Sequence, residues 1–138
     1  AYSGYDEVLR AYEQRILDQR EVPAARAAGI AEFTRRLIQL RLPDGERIVT
    51  TVGRALFNHR VEEGLREVLG EDYLGDYRFL NRTITKKGIS NLIQDLVSQY
   101  GATRVAELAG RVAGAADVTA LPLFAGWRNH PRVTRRVR

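Results

Sequence analysis

The sequence predicts an α+β fold, mainly helical, with helices packed around a short β-hairpin. Several stretches place apolar residues at helical spacing, one stretch near 38–52 alternates instead, and Pro43-Asp44-Gly45 sits inside that alternation as a turn.

In order along the chain, Ser3 and Asp6 fit a capping box with Asp in place of Glu. Tyr5, Val8, Leu9, Tyr12 and Ile16 then mark a first helix from Gly4 to Gln19. Pro23 interrupts it. A second helix is expected from Ala24 to Arg36, with Ile30, Phe33 and Leu37 on one face and Gly29 weakening it. Ile38, Leu40 and Leu42 alternate with Gln39 and Arg41, and Ile48 to Val52 is rich in β-branched residues, so this segment reads as the hairpin. Gly53 is the expected hinge into a helix from Arg54 to Leu69, in which Gly64 is the weak point and Gly70 the cap. Between Glu71 and Asn81, Tyr73, Tyr77 and Phe79 mark a loop pinned by its aromatics. Thr85 caps a helix from Lys86 to Tyr100 that Gly101 ends, and a last helix runs from Thr103 to about Ala113. Residues 1–117 are thus expected as one mixed helical domain and 118–138 as a basic, irregular tail.

The 138 residues are 44% hydrophobic and 28% charged, an ordinary globular balance. Without cysteine there are no disulfides or thiolate metal sites, and no apolar run is long enough to span a membrane, so a cytoplasmic location is expected. The absence of methionine favours a piece of a longer protein. All basic residues except Lys86 and Lys87 are arginines, as a genome with arginine-favouring codons would produce. The formal net charge of +5 is a C-terminal feature: Arg128, Arg132, Arg135, Arg136 and Arg138 lie in a segment with no acid. With Trp127 beside them, these arginines are candidates for weak, salt-sensitive nucleic-acid binding.

Catalytic chemistry is not advertised. His59 and His130 are isolated from any ligand spacing, so no metal is expected. Glu71, Asp72 and Asp76 lack the alternation of a calcium loop and read as solvated loop acids. There is no P-loop, dinucleotide fingerprint or nucleophile elbow. Gly110 and Gly114 indicate close helix packing at most.

An ordered set of motifs remains. Glu7-Val8-Leu9-Arg10-Ala11-Tyr12 is followed by the turn Leu42-Pro43-Asp44-Gly45-Glu46 and then by Thr50-Thr51-Val52-Gly53-Arg54-Ala55-Leu56-Phe57-Asn58. Asn81-Arg82, Thr85-Lys86-Lys87 and Tyr100-Gly101-Ala102-Thr103 come next. This order resembles the pore region of the largest (β′) subunit of bacterial DNA-directed RNA polymerase, over about Asp6 to Leu108. The resemblance implies a structural segment lining the secondary channel through which nucleotides enter. It implies other polymerase subunits as partners, RNA or DNA met indirectly, and no membrane. It brings no cofactor and no catalytic residue, because the family's metal-holding NADFDGD motif, bridge helix and trigger loop have no counterpart here. Arg54, Arg82, Lys86 and Lys87 are the candidate phosphate or RNA contacts, against the alternative of solvated helix starts. The chain departs from the family pattern in the helical character of 20–37, in the length of His59 to Leu80, and after Leu108. The alternative function is a free-standing nucleic-acid-binding or protein-interaction module using the arginine-rich tail.

Overall fold

The computed structural model describes residues 2–18, 29, 31–83 and 85–113. The elements are α1 (Tyr5–Asp18), β1 (Leu37–Arg41), β2 (Arg47–Thr51), α2 (Val52–Leu69), a 3-10 turn (Gly70–Asp72), α3 (Lys86–Tyr100) and α4 (Ala102–Ala113). Residues 31–35 are also helical. This is the expected α+β class, dominated by helix. Chain contacts group into two compact units, Ala1–Leu56 and Phe57–Arg138, and the boundary falls inside α2.

In the first unit, α1 buries Val8 and Tyr12 from one stripe. The acid that Ser3 bonds at the helix N-terminus is Glu7, not Asp6: the Ser3 backbone N–H and hydroxyl both donate to Glu7 Oε2, at 2.9 and 2.6 Å. Those bonds, the hydroxyl's first, hold the exposed Glu7 carboxyl below its usual range. The strands pair antiparallel with Leu37 opposite Thr51 and Arg41 opposite Arg47. Leu42 N–H donates to the Glu46 carbonyl at 2.8 Å and Gly45 N–H to the Leu42 carbonyl at 2.9 Å. Gly45 adopts φ +92°, a conformation that disfavours side chains, so Pro43-Asp44-Gly45 closes the hairpin as expected. Tyr2 bridges Leu40 in parallel on the other side of β1.

Pleating sends Ile38, Leu40 and Thr50 inward and leaves Leu37 68% and Val49 58% exposed. Leu37 therefore does not share the buried face of Phe33, as helical spacing suggested. The helix stops before it, and strand register turns it outward. Phe33 is buried, with the guanidiniums of Arg15 and Arg36 at 5.0 and 5.3 Å from its ring centroid. Residues 19–28, including Pro23, lie outside the described residues, as does Ile30.

β2 ends one residue earlier than expected and the helix begins two residues earlier. Val52, although β-branched, is already helical, because Thr51 Oγ1 accepts the Arg54 N–H at 3.1 Å and caps the new helix. Gly53 sits inside the first helical turn without a positive φ, so its role as hinge is positional and not conformational.

In the second unit, Phe57, Val61, Leu65 and Leu69 of α2 are buried, as are Ile89, Ile93 and Leu96 of α3 and Val105, Leu108 and Val112 of α4. Each such side chain contributes about 1.5–3 kcal/mol when fully removed from water. Gly64 is a contact point and not a weakness: a Cβ there would lie 2.5 Å from Leu108 Cδ1, so its bare backbone lets α4 approach. Gly110, by contrast, has open space where its Cβ would be. Gly70 does end α2, at φ +54°, and opens the 3-10 turn. Thr85 caps α3 through a bond from Gly88 N–H, and Gly101 ends it at φ +89° with its N–H on the Val97 carbonyl.

Candidate nucleic-acid interface

The cationic positions separate by unit. Arg54 belongs to the first, two residues beyond the capped start of α2 and half-buried. In the second, Arg82 and Lys87 are exposed on either side of Thr85, at the corner where the irregular segment enters α3, and Lys86 is the first residue of that helix. Neither Arg82 nor Lys87 forms an ion pair with another described residue. The side chain of Lys86, and all of Arg128, Arg132, Arg135 and Arg136 with Trp127, lie outside the described residues. Two lysines in the first turn oppose the helix macrodipole, at a cost of about 0.3–1 kcal/mol each that a bound anion would offset.

This corner is held by a loop that sequence spacing only partly revealed. The two tyrosines pin it through their hydroxyls: Tyr73 donates to Glu62 at 2.6 Å and Tyr77 to Asn58 Oδ1 at 2.7 Å. Asn58, fully buried on α2, also takes the Leu80 N–H at 2.8 Å and gives its amide N–H to the Leu80 carbonyl at 3.2 Å. One side chain thus does for Leu80 what a neighbouring strand would do. The loop acids are partnered too: Arg104 donates to Asp72 at 2.9 Å, and Tyr100 to Asp76 at 2.8 Å alongside Gln99. Desolvation, followed by the Asp76 hydrogen bond, pushes the Tyr100 phenol up to about 12. Burial and Glu62 raise Tyr73 further. Sequence inspection missed Asn58 because its partners lie about twenty residues away and no local pattern announces them.

Two clefts accompany these features. One, of about 380 Å³, has a leucine floor (Leu65, Leu80, Leu92, Leu96) with Asp76 and Asp95 among its lining. The other, about 410 Å³ in the first unit, brings Arg41 and Arg47 beside Glu7, Ser3 and Tyr2. That arginine pair was not singled out by sequence, although counting residues back from the Pro43-Asp44-Gly45 turn would have placed the two opposite each other. Among the described residues no group of three or more His, Asp or Glu is placed to hold a metal. His59 faces Glu63, with Nε2 3.4 Å from Oε2. No helix among the described residues is long and apolar enough to cross a membrane.

In the second unit, exposed cations thus stand where the irregular segment enters α3, and the buried Asn58 is spent on holding that segment. In comparisons with known proteins, no family model matches. No solved structure matches. The chain is similar to the DNA-directed RNA polymerase subunit beta' of Rubrobacter xylanophilus, 35% identical over 108 residues. The match covers 78% of this chain and only 8% of the length of that relative.

Proposed function

We propose that this chain is a structural segment of a multisubunit DNA-directed RNA polymerase. In this reading it lines the nucleotide-entry channel and is not catalytic on its own. The observation that carries the reading is the 35% identity to a beta' subunit over 78% of the chain. The architecture fits it, because Asn58 and the tyrosines spend their polar groups fixing a loop and not converging on a substrate. Arg54, Arg82, Lys86 and Lys87 would be the contacts for phosphates or an RNA end, the last three at a helix N-terminus where an anion offsets the cost of the cations. The other polymerase subunits would be the partners, and the location cytoplasmic.

The test is reconstitution. The chain is mixed with the remaining polymerase subunits and a largest subunit lacking the corresponding segment, and co-migration and transcription are measured. Stable incorporation with restored transcription is the expected result. Failure to incorporate, together with salt-sensitive binding of single-stranded RNA that is lost on deleting Arg128 to Arg138, would replace this reading with an independent nucleic-acid binder.

A further inference from the structure

Arg41 and Arg47 are directly opposite each other in the hairpin. The neighbouring pair, Leu42 and Glu46, carries the hydrogen bond that closes the turn, while the Arg41 N–H points away to the Tyr2 carbonyl at 3.1 Å. By the alternation of antiparallel ladders, Arg41 and Arg47 form a non-hydrogen-bonded pair, the geometry that brings opposed side chains closest. Both are exposed and line a cleft that is also lined by Glu7, Ser3 and Tyr2, yet neither forms an ion pair with Glu7 or with another described residue. Two like charges so placed destabilise a hairpin unless an anion lies between them.

The rest of that outward face is of another kind. Moving from the turn, the next outward pair is Gln39 with Val49, then Leu37 with Thr51. Val49 and Leu37 are two of the three large hydrophobic residues most exposed among those described. The face is therefore cationic at the turn end and aliphatic at the other. None of its outward residues is aromatic, and Tyr2, which lines the cleft, pairs with the inward-facing Leu40 on the other side of β1, so the face offers no row of stacking rings, which favours protein over single-stranded nucleic acid.

We propose that this hairpin face docks an extended segment of a partner protein. A carboxylate of that segment sits between Arg41 and Arg47, and aliphatic side chains at every second position cover Val49 and Leu37. The proposal names a kind of partner for the assembly reading above and rests on it, but its test requires no polymerase.

The probe is a short synthetic peptide with glutamate, valine and leucine at alternate positions and serine between them. Its binding to the full chain is measured by fluorescence anisotropy, beside a peptide with lysine in place of glutamate and an oligothymidylate. The informative variant is Arg47→Glu. It turns the cross-strand repulsion into attraction, so the melting temperature should stay level or rise by about 1–3 °C. Binding of the glutamate peptide should nevertheless fall by about tenfold or more. Val49→Ser should weaken binding while leaving its salt dependence unchanged. Equal binding by wild type and Arg47→Glu, preference for the lysine peptide or the oligothymidylate, no binding of any probe, or self-association of the wild type abolished by Arg47→Glu would each overturn the proposal. A failed reconstitution with an intact peptide result would instead count against the polymerase reading alone.

Discussion

The hairpin turn at 42–46 and the segment at 73–83 are both irregular backbone, yet they are held in opposite ways. The turn closes on itself: Leu42, Gly45 and Glu46 satisfy one another, and Asp44 Oδ1 accepts the Glu46 N–H at 2.8 Å. The longer segment has few bonds of its own and relies on side chains of two helices of its unit: Asn58 and Glu62 from α2, and Gln99 and Tyr100 from α3. A turn made by its own residues survives changes elsewhere, whereas a loop made by others' side chains fails when one of those is lost.

The sharpest way to break the contrast is Asn58→Ala. Stranding the Leu80 N–H and carbonyl should cost roughly 3 kcal/mol. Amide exchange should accelerate at Leu80 and Tyr77, with hairpin amides unchanged. Uniform loosening of both regions would show that the loop does not depend on Asn58 in particular. Gly64→Val comes next. Its side chain must displace the buried Leu108, and the overpacking should cost roughly 2 kcal/mol in chemical denaturation. The reciprocal change, Gly45→Ala, strains a φ of +92° in open space. It should cost about 1 kcal/mol and be felt in the hairpin amides alone.

The smallest effect is alkaline. Because the folded protein holds the Tyr100 phenol up to about 12 against an ordinary 10.0, the neutral form is favoured by folding. That contribution is fully present below pH 10 and is lost as pH rises toward 12. Tyrosinate absorbance should therefore report a group ionising near 12, with Tyr73 later still, and Tyr100→Phe should remove the earlier of the two and flatten the fall in stability over this window. An unchanged titration in the variant would mean that Asp76 does not hold the phenol.

How much was legible in the sequence follows the same division. Helices α1, α3 and α4, the hairpin, and the caps at Thr85 and Gly101 could be read, because periodicity and capping chemistry act within a few residues. The errors came where two local rules competed. Leu37 fits the helical stripe of Phe33, but hairpin register turns it outward. Val52 continues a β-branched run, but the Thr51 hydroxyl starts a helix there. Asp6 was the expected partner of Ser3, yet Glu7 takes both of its bonds.

The sequence by itself determined the class of fold, the position of the turn, and the cationic candidates Arg54, Arg82, Lys86 and Lys87, since each depends on residue type and short spacing. Tertiary structure decided the burial of Asn58, the contact of Gly64 with Leu108, and the tethering of Asp72 and Asp76. Those interactions join residues far apart in the chain. Whether a polar side chain is solvated or spent on such a bond is set by what folding brings to it, which local spacing does not encode.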